Sequence, residues 1–164
     1  MTEDFPKTFR GDNLNTPAVS ISRQEGIMRI KLLADWYKPE YKTCGSSGAD
    51  LHARGDWNIQ PGETIKIPLG ICFEIPDGYE VQIRPRSGLS AKGIYSAFGT
   101  VDCDYRGEVS VVVTNNSKKM FSVRDGDRIC QMVYAPVIQV DFDTADELSD
   151  TERGTNGFGS TGVN

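Results

Sequence analysis

Acidic side chains that could activate a nucleophile are concentrated in residues 99–108, which read Gly-Thr-Val-Asp-Cys-Asp-Tyr-Arg-Gly-Glu. This stretch carries Asp102 and Asp104 two residues apart, with Tyr105 beside them, and the apolar run 109–113 follows at once. Polar turns next to strands are where rigid sheets commonly present functional side chains. A charged turn whose acids only face water is the alternative, and this stretch alone does not separate the two.

A second candidate segment, Pro-Arg-Ser-Gly-Leu at residues 85–89, places a cation, a hydroxyl and a glycine in a row as Arg86, Ser87 and Gly88. An alternating run precedes it and predicts a strand, while residues 87–92 predict one turn of helix with Ser87 as its N-cap. Free N–H groups at the start of a helix, together with an arginine and a serine, favour an anion. A plain helix cap is the alternative.

Two further polar side chains stand within apolar sequence. Asp50 lies among small and apolar residues at positions 48–53, where an aspartate that caps its own turn is the commoner case. Gln131 lies in the middle of the run 128–135, which is otherwise apolar around it, so we expect it to be partly buried and to need hydrogen-bond partners. Those partners are either a neighbouring backbone or a bound polar ligand, and the sequence leaves both open.

The glycine-rich C-terminal segment 153–162 has one large apolar side chain, Phe158, which stands between two glycines. Arg153 precedes it, and Ser160 and Thr161 follow it. This composition predicts a flexible arm. The arm could fold over a bound base and its phosphates, or it could be a plain tail.

Composition excludes several classes of function. A chain of 164 residues with a net charge of −5 is unsuited to non-specific duplex binding, so we expect no nucleic-acid partner. No apolar run approaches membrane-spanning length, and the N-terminus lacks the features of a signal peptide, which predicts a cytoplasmic protein. The four cysteines form no Cys-x-x-Cys pair, and the single histidine, His52, excludes a two-histidine zinc site. Any catalysis is therefore expected to use carboxylates, with a metal brought by the substrate.

Short apolar or alternating runs separated by turn residues predict an all-β fold, of the jelly-roll or distorted β-barrel type, with one short helix. We divide the chain into a flexible extension (1–27), a β domain (28–142) and a C-terminal arm (143–164). The predicted strands are residues 28–34, 64–75 with an interruption at Pro68, 79–86, 108–115, 128–135 and 137–142. Residues 93–98 are predicted to form a hairpin-like excursion.

Taken together and in order, five segments resemble the motifs of the homotrimeric dUTPases, the deoxyuridine triphosphate nucleotidohydrolases. They lie at residues 48–53, 85–89, 99–108, 126–133 and 153–162. Each segment alone is weak evidence for the family, but five segments in the correct order are specific to it. The resemblance spans roughly residues 28–162 and implies a β jelly roll assembled as a homotrimer, with active sites shared between subunits.

The resemblance also implies a reaction, the hydrolysis of dUTP to dUMP and pyrophosphate, which keeps uracil out of DNA and supplies dUMP for dTMP synthesis. Asp102 is expected to deprotonate the water that attacks the α-phosphorus, and Tyr105 to pack under the deoxyribose and exclude a 2′-hydroxyl. The backbone of Gly99, Thr100 and Val101, with the preceding hairpin, is expected to read the uracil edge.

The remaining implied roles concern the phosphates and the metal. Arg86, Ser87, Gly88 and Gln131 are expected to bind the phosphate chain. Residues of the C-terminal arm are expected to close the site. The γ-phosphate is expected to be bound by Arg153, Gly159, Ser160 and Thr161, and the uracil to be stacked on by Phe158. Mg²⁺ is expected to be bound mainly through the triphosphate, and Asp50 to contact it through water.

One departure from the family pattern concerns the base. Residues 92–99 are a few positions shorter than in many members, and the usual pyrimidine-reading asparagine is absent, with Ser96 nearest by spacing. Two alternatives to a dUTPase remain. One is the related dCTP deaminase branch, which would carry a different motif around residues 102–107. The other is a nucleotide-responsive regulator that binds a protein partner, a role that the N-terminal extension could serve.

Overall fold

The computed structural model of the protein describes residues 27–155. Most of the predicted N-terminal extension therefore lies outside the described residues, as does the arm beyond residue 155, with Phe158, Gly159, Ser160 and Thr161. Within the described range the chain is all-β with one short α-helix, which confirms the predicted fold class. No helix there is long and apolar enough to cross a membrane.

The described part of the chain contains eleven strands and the helix α1 (Ser87–Ser90). In chain order the strands are β1 (Arg29–Leu32), β2 (Ala49–His52), β3 (Trp57–Ile59), β4 (Thr64–Pro68), β5 (Ile71–Glu74), β6 (Tyr79–Pro85), β7 (Ile94–Ser96), β8 (Gly99–Val101), β9 (Ser110–Asn115), β10 (Phe121–Val123) and β11 (Arg128–Pro136). A single 3₁₀ turn, Asp35–Tyr37, follows β1.

The strands form four antiparallel sheets that do not join into a closed barrel within residues 27–155. The largest has the order β2-β11-β6-β8, a second has the order β4-β9-β7, and β1-β5 and β10-β3 are pairs. On β6 the predicted alternation holds, since Val81 and Ile83 are buried while Glu80, Gln82 and Arg84 lie on the other face. A sheet with one apolar face packed on the core leaves the opposite face for polar side chains.

The prediction for the connection before β8 was wrong, and two short strands were not predicted. Residues 93–98 do not form a hairpin, because β7 pairs with β9 whereas β8 pairs with β6 in a different sheet. The chain thus crosses between sheets at residues 97–98. Strands β3 and β10, which pair with each other, were not predicted, because three residues are too few to show an alternating pattern.

Residues 137–142 were predicted as a last strand, and the structure shows none there. Alternate side chains of this segment are apolar but exposed: Ile138 is 88% exposed, Val140 is 64% exposed and Phe142 is 94% exposed. Strand structure needs a hydrogen-bonded neighbour, and the segment has none within the described residues beyond the bond from the Val137 N–H to the Gly78 carbonyl. The pattern is therefore that of a strand whose partner is not among residues 27–155.

The ends of β4 and α1 each differ by a residue or two from the prediction. β4 includes Pro68, and the interruption falls after it, at Leu69 and Gly70. Ser87 is not the N-cap of α1. Arg86 holds that position without a side-chain cap, and its carbonyl accepts the N–H groups of Leu89 and Ser90.

We expect Gly70→Ala to lower the free energy of unfolding by about 2–4 kcal/mol, for two additive reasons. Gly70 has a φ of +65°, and an added Cβ would lie 2.2 Å from the ring of the buried Tyr37. Gly78→Ala is the matched control, because Gly78 also has a positive φ (+79°) but nothing lies within 4 Å of its Cβ position. Urea denaturation at fixed protein concentration should show a loss of only about 1–2 kcal/mol for the control. Equal losses of unfolding free energy in the two variants would mean that contact between the added Cβ and Tyr37 is not destabilising.

Candidate functional site

A row of polar side chains crosses the outer face of the four-stranded sheet. Asp50 of β2 is paired with Gln131 of β11, and Gln131 is paired with Arg84 of β6. Directly paired residues of antiparallel strands point to the same face, so these three side chains lie side by side. Arg86 follows at the end of β6. The sheet thus brings together candidates from three separate segments of the chain.

Asp50 is the centre of this cluster. It is 9% exposed, and its carboxylate receives Arg86 at 3.2 Å on one oxygen and Arg128 at 3.0 Å on the other. Two cations compensate the burial of one carboxylate, and the pairing fixes the side chains of both arginines. The interpretation of Asp50 as a turn cap is wrong, because the residue lies within β2. Arg128 was not among the predicted site residues.

Gln131 makes a structural hydrogen bond in this chain. Its Nε2 donates to the carbonyl of Pro85 at 3.0 Å, next to the junction between β6 and α1. Its Oε1 packs against Gly48, where an added Cβ would lie only 2.4 Å away. The guanidinium of Arg86 donates to the carbonyl of Arg128 at 2.6 Å. Direct contacts therefore join residues of three motif segments, which are 48–53, 85–89 and 126–133.

Ser87 and Gly88 open α1 and are both exposed. The first N–H groups of a helix have no acceptor within it, so they are available to a phosphate beside the cluster of Asp50. His52, in β2, is not part of a catalytic triad in the described structure, since its Nδ1 is buried without a hydrogen-bond partner there. Burial lowers the pKa of His52, and the nearby Asp50 carboxylate opposes that effect.

Asp102 lies elsewhere, on the turn that follows the edge strand β8. Its side chain is exposed, and its carbonyl accepts the Tyr105 N–H at 3.2 Å, which closes the turn. Asp102 lines a cavity of about 510 Å³ together with Glu80 and Asp104. Tyr105 is 46% exposed, and its hydroxyl donates to the carbonyl of Glu108 at 3.1 Å. Asp102 and Tyr105 therefore stand at one exposed turn.

Gly99, Thr100 and Val101 form β8, which is paired on one side only, with β6, in the described sheet. An edge strand presents N–H and C=O groups on its open side, and these are suited to hydrogen bonding with a planar base. Ser96 lies in β7 instead. It is 7% exposed, and its hydroxyl donates to the carbonyl of Ile129 at 3.0 Å, so this hydroxyl proton is already used inside the core.

Asp102 and the cluster of Asp50 lie at opposite ends of the same sheet. Val101 is paired with Val81, so Asp102 comes next to Glu80, with which it shares the cavity. Arg86 is six positions further along the chain than Glu80. At about 3.3 Å per residue of strand, that is roughly 20 Å. This backbone separation is longer than a triphosphate chain.

The family profile for dUTPase matches residues 34–162. The chain belongs to the dUTPase family. The enzyme is accordingly a nucleotide hydrolase that acts on dUTP, which confirms the predicted family and enzyme class. The profile ends at the close of the glycine-rich segment predicted as the fifth motif.

Two curated relatives agree with the dUTPase profile. The deoxyuridine 5'-triphosphate nucleotidohydrolase of Bdellovibrio bacteriovorus is 47% identical over 146 residues, covering 85% of this chain and 98% of that protein. The protein of the same name from Nautilia profundicola is 50% identical over 127 residues, covering 76% of this chain and 89% of that protein. Both relatives are thus covered over most of their length.

Solved dUTPase structures share the fold. The dUTPase of Staphylococcus bacteriophage 80alpha, in a structure with dUpNHpp, has a TM-score of 0.78 at 24% identity, covering 84% of this chain and 99% of that one. A dUTPase variant from phage phi11 of S. aureus, whose structure shows a structural Mg(II) ion, has a TM-score of 0.68 at 20% identity, covering 74% and 98%. At these identities the likeness concerns the fold, and it confirms the predicted jelly roll.

Proposed function

We propose that the enzyme cleaves dUTP between its α- and β-phosphates, with Asp102 as the base that activates the attacking water. The observation that carries this proposal is the exposed Asp102 carboxylate on the closed turn beside Tyr105, at the end of a rigid sheet. The carboxylate accepts a proton as the water oxygen bonds to the α-phosphorus. The bond to the bridging oxygen breaks, and the products are dUMP and pyrophosphate.

Selection of the nucleoside uses the same turn. The half-exposed ring of Tyr105 forms a flat floor for the sugar, and we assign to it the exclusion of a 2′-hydroxyl. The open edge of β8 supports reading of the uracil by the backbone of Gly99, Thr100 and Val101. Ser96 is left out of this proposal, because its hydroxyl proton is engaged with Ile129.

The phosphate chain is assigned to the cluster around Asp50. Arg86 supplies positive charge, Ser87 and Gly88 supply N–H groups, and Gln131 supplies an amide. Because Asp50 already holds Arg86 in place, the arginine needs little reorganisation to stabilise charge that develops during the reaction. This is the physical advantage of an ion pair beside a phosphate site.

Mg²⁺ fits this site only when it is bound to the substrate. Among residues 27–155 no group of three or more His, Cys, Asp or Glu side chains could hold a metal ion, and both oxygens of Asp50 face arginines. Asp50 is thus suited to contact through water rather than to direct coordination. When bound to the triphosphate, the metal neutralises charge on the leaving pyrophosphate.

Two features support a homotrimer with shared active sites. The backbones of Asp102 and Arg86 lie roughly 20 Å apart along one sheet, which favours a site completed by the Arg86 cluster of another copy. Residues 137–142 expose alternating apolar side chains, including Ile138 and Phe142, that a neighbouring copy would cover. Both requirements are met by association of identical chains around a closed axis.

Closure of the C-terminal arm completes the proposal. Arg153 is exposed near the end of the described residues, and we assign to it a contact with the γ-phosphate, together with Gly159, Ser160 and Thr161. Phe158 is assigned to stacking on the uracil. A partner protein for the N-terminal extension and a cytoplasmic location stay predictions.

The proposed specificity is tested by assaying pyrophosphate release with Mg²⁺ present. We expect dUTP to be hydrolysed with a kcat/KM at least about 10²-fold above that for dTTP, UTP or dCTP, because each competitor changes the base edge or the sugar. Ammonia release from dCTP is measured in parallel and should be absent. Hydrolysis of UTP at the rate of dUTP would contradict the role of Tyr105, and ammonia from dCTP would favour the deaminase branch.

A further inference from the structure

A second cavity, of about 290 Å³, lies on the outer face of the β1–β5 pair and is lined by three cationic residues. Its lining includes Arg29 and Lys31 of β1, Cys72 and Glu74 of β5, and Arg106 from the chain before β9. Glu74 is the one acid among the described residues of this lining, so three cations against one acid leave an excess of two positive charges. The whole chain, by contrast, has a net charge of −5.

The antiparallel register explains why the cations of β1 share a face. Arg29 is paired with Glu74, and Lys31 is paired with Cys72. Directly paired residues point to the same side of a sheet, so these four side chains lie together. The intervening Phe73 is 1% exposed and belongs to the core on the other side. β1 thus presents its two cations outward, about 7 Å apart along the strand.

Arg106 reaches the cavity from the opposite side of β5. β4 pairs antiparallel with β9, and beyond the end of β4 the Val109 N–H donates to the Ile71 carbonyl at 2.9 Å. The chain before β9 therefore runs antiparallel beside β5, and Arg106 lies alongside residues 72–74. The cations of β1 and Arg106 thus flank β5 on both sides. Two strand spacings separate their backbones by roughly 10 Å.

Two of these three cations have no acidic partner. Arg29 donates to Glu74 at 3.1 Å, but the two side chains are 79% and 48% exposed, and such pairs are weak. Within residues 27–155, Lys31 and Arg106 form no ion pair. The Arg106 guanidinium donates to two backbone carbonyls of its own turn, which carry no net charge. Uncompensated cations around a concave surface attract an anion.

We propose that this cavity binds a small anion with two linked phosphoryl groups, separately from the dUTP site. Arg29 and Lys31 contact one phosphoryl group from the β1 side, and Arg106 contacts the second from the opposite side. A single phosphoryl group is poorly suited to both sides, because the backbones that carry the cations are roughly 10 Å apart. Neither cation of β1 has a part in the proposed function, so the inference does not depend on the role assigned to Asp102.

The test is a calorimetric titration of the full-length enzyme with inorganic pyrophosphate, in EDTA and with a saturating non-hydrolysable dUTP analogue in the dUTP site. We expect one site per chain with a Kd below about 1 mM, and binding of orthophosphate about tenfold weaker, because orthophosphate meets one side only. Absence of pyrophosphate binding up to about 10 mM would overturn the proposal. Equal affinity for the two anions would overturn it as well.

ADP, titrated in parallel, distinguishes two sources of the same diphosphate chemistry. Tighter binding of ADP than of pyrophosphate would identify a nucleotide as the ligand, because the nucleoside then adds contacts. Equal or weaker binding of ADP would identify the inorganic anion. Either result supports a diphosphate site in this cavity.

Substitutions show where the anion binds. Lys31→Gln and Arg106→Gln should each raise the Kd for pyrophosphate about fivefold, and the double variant should raise it at least about tenfold. Lys66→Gln is the matched control, since Lys66 is an exposed lysine of β4 outside the cavity lining, and its Kd should stay within about twofold of the wild type. A wild-type Kd in Lys31→Gln would overturn the assignment, whatever Arg106→Gln does to its turn.

Cys72 supplies a local readout, because it lines the cavity between the cations. Bound pyrophosphate should slow alkylation of Cys72 by iodoacetamide at least about threefold, as measured by mass spectrometry of its peptide. The exposed Cys44, which is not part of the lining, is the internal control and should react at an unchanged rate. Equal slowing of both thiols, or of neither, would overturn the assignment of the anion to this cavity.

Discussion

Replacing Asp102 by asparagine is expected to lower kcat for dUTP by about 10³-fold, because the amide cannot accept the proton of the attacking water. The change is close to isosteric, and Asp102 is exposed, so the turn around it should keep its structure. Binding of a non-hydrolysable dUTP analogue, measured by calorimetry, should stay within about threefold of the wild-type Kd. The variant thus separates loss of proton transfer from loss of the site.

Asp104→Asn is the matched control for this experiment. Asp104 lies two residues away, carries the same charge and lines the same cavity as Asp102. We expect its kcat to stay within about threefold of the wild type, since no role in proton transfer falls to it. A wild-type kcat in Asp102→Asn, or a large loss in Asp104→Asn alone, would mean that the base has been assigned to the wrong carboxylate.

The sequence predicted correctly those structural features that depend on one local segment of the chain. The alternation at β6 indicated which side chains face the core, because Val81 and Ile83 pack there and Arg84 cannot. The turn at Asp102 was predictable from its density of polar residues before an apolar run. Local patterns of this kind report burial and turn geometry directly.

Contacts between distant segments were not predictable in the same way. The pairing of Asp50 with Arg128 depends on the register between β2 and β11, which shifts by an irregularity between Arg128 and Cys130. Nothing in the local sequence fixes that shift. The bond from Arg54 to Glu108 similarly joins residues 54 positions apart through a turn.

Residues 137–142 show a third reason for failure. The segment was predicted as a strand, and Ile138, Val140 and Phe142 do alternate with other residues, yet no strand forms. A strand is a property of two paired segments, and the second is absent from the described chain. A pattern can therefore be real and still leave open which molecule supplies its partner.

Mixing two inactive variants is expected to restore activity if active sites are shared between copies. Arg86→Gln should lower kcat about 10²-fold, through loss of charge at the phosphates, while the amide still donates to Asp50. Asp102→Asn and Arg86→Gln chains are unfolded together in equal amounts and refolded, and dUTP hydrolysis is compared with that of refolded wild type. Random assembly leaves one site in four with an intact Asp102 from one chain and an intact Arg86 from another, so about a quarter of the wild-type activity should return.

The control mixes wild-type chains with chains that carry both substitutions. With shared sites, both contributing chains must be wild type, so about a quarter of the activity should remain, whereas sites contained within one chain would leave about half. Recovered activity in the first mixture requires that Asp102 and Arg86 come from different chains. A quarter of the wild-type activity in the second mixture requires the same. No recovery in the first mixture and half of the activity in the second would place the whole site in one chain.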